Sequence, residues 1–188
     1  MLTALSDDQW TAPSRCDEWS VRDVVAHLVD VNKFWHGSIT AGVAGTPTRL
    51  LAGFDPAATP SMLVDWMHAL NFGEVFEQFV TTSDSLLDDV EQLTDEQWTA
   101  TAESPVGHVA IRLLVQHALW DCWIHERDIA MPLGIAMADE PDEVASCLRY
   151  AAAASPAVIE PCQNLLTSTR WATTSRADQP SHRLGADH

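Results

Sequence analysis

From Pro60 to Val90 the apolar residues Leu63, Trp66, Met67, Leu70, Phe76, Phe79, Val80, Leu86, Leu87 and Val90 recur at helical spacing. No stretch of the chain shows a convincing period-two alternation. Such stripes must be buried against other helices, which restricts the chain to helix-on-helix packing. Pro60 suits a first helical turn, and Gly73 is placed to bend the helix. Val24, Val25, Leu28, Val31 and Trp35 mark another helix from about Val21 to Gly37, capped by Ser20 with Asp23 completing the cap. A third helix is expected from about Val109 to Pro132, ended by Leu133-Gly134, and a weaker fourth from about Pro141 to Ala154. Gly42 to Thr48 and Gly53 to Pro56 read as loop. The expected architecture is all-α: a helical bundle over residues 1–140, a short helical extension over 141–163 and an irregular tail over 164–188.

An internal echo accompanies this pattern. Leu5-Ser-Asp-Asp-Gln-Trp-Thr-Ala12 returns as Leu93-Thr-Asp-Glu-Gln-Trp-Thr-Ala100. Both copies open with a capping-box pattern, Ser6 to Gln9 and Thr94 to Gln97. Two similar capped turns explain the echo as well as a duplicated helical hairpin does.

The 188 residues suffice for one domain with a substantial core. A formal net charge of -17, with only ten Lys and Arg, argues against nucleic acid and against an anionic membrane surface. No apolar run is long enough to span a bilayer, and Met1 to Asp8 lacks a basic leader region. Cys16, Cys122, Cys147 and Cys162 show no paired spacing. Reduced thiols in a cytoplasmic protein are therefore expected.

The third helix carries the run His117-Ala-Leu-Trp-Asp121-Cys-Trp-Ile-His125-Glu-Arg-Asp128. Asp121 and His125 are four apart and share one helix face. A pair alone does not close a metal site. His27, inside the apolar run Val24 to Val29, offers a third donor. Each of these histidines taken singly is more often a hydrogen-bonded core residue. Together, one His from one helix and an Asp/His pair from another give three protein ligands and an open position, the catalytic form of a zinc site. The donors suit Zn²⁺, with Fe²⁺ and Ni²⁺ as alternatives. His117 could be a fourth ligand, a donor behind the ligands, or a core residue. Cys122 points about 100° away from Asp121 and is expected to be packed. Glu126, Arg127 and Asp128 either form ion pairs near the helix end or, as is more common, line a solvated face. Neither a Gly-rich phosphate loop nor a GxSxG nucleophile motif occurs.

The segment Trp10-Thr-Ala-Pro-Ser-Arg-Cys-Asp-Glu-Trp-Ser-Val-Arg-Asp-Val-Val-Ala-His27-Leu28 resembles the opening signature of the mycothiol-dependent maleylpyruvate isomerase N-terminal family, one of the DinB-like metal-binding four-helix bundles. Trp120-Asp-Cys-Trp-Ile-His125-Glu-Arg-Asp-Ile129 resembles its second signature. The resemblance implies a divalent metal, usually zinc, held by His27, Asp121 and His125. It implies a metal-activated low-molecular-weight thiol, mycothiol, acting on a small electrophile by addition and isomerisation or by S-transfer. A small-molecule thiol and an electrophilic substrate are then the partners of a monomer or homodimer. The chain departs from the isomerase in three ways. Asp121 stands where the isomerase has Glu. Only nine residues precede Trp10, where the family usually carries a full helix, so either the bundle lacks its first helix or the natural start lies upstream. The isomerase also continues into a second domain. An impaired or truncated bundle acting by binding or dimerisation is the alternative expectation, and a hydrolase using the same ligands is a third.

Overall fold

A computed structural model describes residues 1–56 and 58–168, with the backbone alone described from 155 onward. The compact unit Met1–Ser155 is built around helix α2 (Val21–Val43). Ser20 caps it: its side chain accepts from the Asp23 amide at 3.3 Å, and Asp23 Oδ2 accepts from the Ser20 amide at 2.9 Å. The helix outruns its expected end at Gly37 and stops where Gly45 turns left-handed, at φ 72°. Ahead of it lies α1 (Asp7–Trp10), one turn closed by the Ser6–Gln9 capping box. The echoed segment forms the same reciprocal contacts between Thr94 and Gln97, at 2.8 and 3.3 Å, over a 3₁₀ turn (Gln97–Thr99).

The stripe expected to be one bent helix is two: α3 (Thr59–Trp66) and α4 (Phe72–Glu91), separated by a 3₁₀ turn at Met67–Ala69. The break falls before Gly73 because Asn71 starts a new helix. Its side chain accepts from the Glu74 amide at 3.1 Å, while Glu74 returns a bond to the Asn71 amide at 2.8 Å. The buried Arg22 guanidinium takes up the Met67 and Leu70 carbonyls at the break, at 2.6 and 2.9 Å.

The expectation of no strands is also corrected. Strands β1 (Thr101–Ser104) and β2 (Gly107–Ala110) form an antiparallel hairpin with Thr101 opposite Ala110 and Ser104 opposite Gly107. Each strand is four residues long, too short for alternation to register in the sequence. The Glu103 carboxylate ties the hairpin to the 48–51 segment, accepting from Thr48 Oγ1 and the Leu50 and Leu51 amides at 2.7, 2.7 and 2.9 Å.

Helix α5 (Ile111–Ala130) follows, then α6 (Pro141–Ser168), which continues beyond the expected Ala154. Residues 164–168, expected to be irregular, are its last turn; residues 169–188 lie outside the described ones. Among the described residues no helix is long and apolar enough to cross a membrane. Two apolar clusters form the core. One joins Val21, Val24, Val25 and Val29 of α2 to Trp10, Val75 and Ile129. The other joins Trp35 and Ile39 to Ala102, Ile111, Leu114 and Ala118. The start of α2 therefore meets the end of α5, so the two run antiparallel.

His117 belongs to this core. Its Nδ1 lies 2.7 Å from the Tyr150 hydroxyl of α6 and 3.4 Å from Ser104 Oγ, and Trp35 and Trp120 flank the ring. Burial lowers its pKa to about 4.

Two outcomes follow from this packing. A Cβ on Gly42 would meet Thr101 O at 2.7 Å and Ala102 Cβ at 3.0 Å, whereas one on Gly37 would meet nothing within 4 Å. Denaturant titration will show Gly42→Ala destabilised by about 1–3 kcal/mol and Gly37→Ala stabilised by about 0.5–1 kcal/mol. His117, neutral when folded, takes up a proton on unfolding between its free value of 6.5 and about 4, so folding stability falls as pH falls through that window. Metal-free protein will lose about 2 kcal/mol more between about pH 7.5 and about pH 5 than His117→Gln does.

Candidate metal centre

Antiparallel packing of α2 and α5 sets His27 opposite Asp121 and His125. One donor atom from each of the three lies within 4.8 Å of the others. The His27 and His125 rings meet edge to face, centroids 5.1 Å apart at 83°. His125 Nε2 is 3.8 Å from Asp121 Oδ1. Trp19 covers the other side of His27 at 5.1 Å. All three residues are partly buried.

Their electrostatics follow from this placement. Burial, then the neighbouring His125, lowers the His27 pKa to about 4, so the ring is neutral at pH 7 with a lone pair to offer. Burial raises the Asp121 pKa; His125 draws it down and Asp128 pushes it up again. Asp121 Oδ2 is buried with no hydrogen-bond partner. An orphaned buried carboxylate oxygen is costly, and it points to a missing electropositive neighbour.

Of the two readings for Asp128, the commoner one, a solvated face, does not hold: its side chain is only 13% exposed, and its Oδ2 pairs with His125 Nδ1 at 3.1 Å. An ionised carboxylate only accepts, so this contact holds the proton on Nδ1 and leaves the Nε2 lone pair facing the Asp121 side. The spacing His125 to Asp128 is i, i+3, a same-face signal that was available in the sequence. Its neighbour Arg127 pairs with Glu126 at 3.6 Å, and it also donates to Asp139 at 2.7 Å while lying 3.7 Å over the Trp123 ring.

Cys16 was not foreseen either. Its thiol donates to Asp128 Oδ2 at 3.4 Å, and Sγ is 3.9 Å from His125 Nδ1. Burial and then Asp128 push this thiol up to about 11. Backbone contacts bring it here: the Arg15 amide donates to the Asp128 carbonyl at 3.0 Å, and the Cys16 amide donates to Ser14 Oγ at 3.0 Å. Glu18 takes φ 66° in the same tight loop.

Among the described residues, His27/Asp121/His125 and Cys16/His125/Asp128 are the two groups close enough to hold a cation. His117 and Cys122 are in neither. Cys122, its thiol pushed up to about 12 by burial, lines a cavity of about 280 Å³ with Leu28, Phe79, Leu119 and Trp123. That cavity lies against the α5 face turned away from Asp121 and His125.

The profile of the mycothiol maleylpyruvate isomerase N-terminal domain family matches residues 1–130. The crystal structure of a mycothiol-dependent maleylpyruvate isomerase superposes with a TM-score of 0.65 at 16% identity, covering 80% of this chain and 60% of that one. A variant of that enzyme with one histidine replaced by alanine gives the same values, 0.65, 16%, 80% and 60%. At this identity the likeness is one of fold, and the chain spans about 60% of the isomerase's length. No curated protein matches the chain. The profile covers more than two thirds of the sequence, and on that ground the chain belongs to the mycothiol maleylpyruvate isomerase N-terminal domain family.

Proposed function

We infer that this chain binds one divalent cation through His27, Asp121 and His125 and uses it on a low-molecular-weight thiol. Mycothiol is the thiol in the names of its family and of the isomerase it resembles in fold. The observation that carries the reading is the convergence of three donors from two helices, one of them a carboxylate whose buried Oδ2 has no partner. One carboxylate and two imidazoles favour zinc. A cation held there would supply Lewis acidity, lowering the pKa of a thiol that reaches it toward neutrality.

The protein's own residues do the rest. Asp128 fixes the His125 tautomer through Nδ1. His27 needs no deprotonation at neutral pH, because its burial already keeps it neutral. Trp19 shields the His27 side of the site from water. The reaction class we assign is attack of the thiol on a small electrophile, leading to isomerisation or S-transfer, in a cytoplasmic setting. Aligned donors on two helices cost folding free energy unless something binds them. That favours this reading over a bundle that merely docks a partner.

Metal analysis of purified protein tests the assignment. Wild type will carry, or take up on supply, one equivalent of zinc or cobalt. His27→Ala and His125→Ala will lose more than about 100-fold in affinity, and Asp128→Asn about 10–100-fold. Wild-type protein that neither carries stoichiometric metal nor takes any up would remove the basis of the inference.

A further inference from the structure

The His125 ring stands between two carboxylates and serves two groups of donors. Nε2 faces Asp121 at 3.8 Å, and Nδ1 faces Asp128 at 3.1 Å. On the Nδ1 side the three donor atoms are Cys16 Sγ, His125 Nδ1 and Asp128 Oδ2, separated by 3.1, 3.4 and 3.9 Å. Tetrahedral coordination with bonds of about 2.3 Å to sulfur and about 2.0–2.1 Å to nitrogen or oxygen gives donor–donor edges of about 3.3–3.6 Å. The Nδ1-side separations lie close to those edges, and the three residues are also close enough to share one cation. It is also built rather than incidental. The Arg15 amide bond to the Asp128 carbonyl and the Ser14–Cys16 contact fix Cys16 against the end of α5.

We propose that Cys16, His125 and Asp128 form a second cation position, selective for thiophilic ions, that shares His125 with the first and excludes its simultaneous use. This rests on the assignment of His125 to the first position. Binding at the second displaces the Cys16 proton, leaving a thiolate ligand, and moves the imidazole proton from Nδ1 to Nε2, where Asp121 is the acceptor. Binding at the first needs the opposite tautomer, with Nδ1–H donating to Asp128. An imidazole that keeps one N–H proton offers a lone pair on one side at a time. Harder ions and borderline zinc take the His/Asp/His position, and softer ions such as Cd²⁺ take the thiolate position. The chain thus has a built-in place to hold a soft metal, in which that metal disables the zinc position by turning the tautomer of His125.

Cadmium titration of the full chain, followed by sulfur-to-metal charge-transfer absorption and by cadmium NMR, tests this. Wild type is expected to bind one equivalent with a thiolate band, and loading it with cadmium is expected to abolish cobalt uptake. Cys16→Ser is expected to lose the band while still binding cobalt, which also shows that it is folded. His27→Ala is expected to keep the cadmium band while losing cobalt. The proposal is overturned if wild type shows no thiolate band, if the band survives in Cys16→Ser, or if two equivalents bind together. It is equally overturned if His27→Ala abolishes the band, since Cys16 would then be a fourth ligand of a single site. Failure of the His27/Asp121/His125 assignment reads differently: cobalt uptake would be absent or indifferent to His27→Ala, whatever cadmium does.

Discussion

The antiparallel contact between α2 and α5 is the constraint on which the rest of the structure depends. Apolar clusters brace it at both ends, Val21 to Val29 against Ile129 at one and Trp35 and Ile39 against Ile111, Leu114 and Ala118 at the other. Two separated clusters fix both the spacing and the rotation of the helix pair, because neither helix can turn without exposing one of them. On α5, Asp121 and His125 lie between these braces, and on α2 His27 lies within the first. Gly42 tightens the same arrangement by letting the Thr101 carbonyl reach α2. His27 and His125 face each other because packing elsewhere has already fixed where their backbones are.

How much of this the sequence disclosed depends on how local the cause was. The long helices and the His27/Asp121/His125 grouping were legible because helical spacing and apolar surroundings are written within single segments. The Asn71 break was legible in principle, since Asn71 and Glu74 have capping-box spacing, but the surrounding apolar stripe masked it. The hairpin was not, for its strands are short and are held by Glu103 reaching across to Thr48, Leu50 and Leu51. Cys16 was the least legible. Its approach to Asp128 depends on the Arg15 backbone amide, which leaves no side-chain signature. His117, which shares the face of Asp121 and His125 in sequence, was drawn into the core by Tyr150 of α6, a partner 33 residues away.

Burial shapes the chemistry of the centre more than any single contact does. It keeps His27 neutral and disfavours the ionised form of Asp121. Such a group is expensive in a metal-free protein, because two desolvated donors and an unpartnered oxygen are held close together. A cation would reverse the sign of each of those costs, since it favours a neutral imidazole, an ionised carboxylate and a satisfied lone pair at once.

His125 is where these effects meet. Its two nitrogens see two carboxylates of different standing: Asp128 is close at 3.1 Å, and Asp121 is at 3.8 Å. The nearer carboxylate decides the tautomer, and the tautomer decides which side of the ring can donate a lone pair. In the proposed ligand set of His27, Asp121 and His125, the donor side of His125 is therefore set by a residue outside the set. Asn at position 128 would keep the shape yet could present either an acceptor or a donor to Nδ1, so the ring would lose its directional bias even though every atom of the proposed ligand set stayed in place.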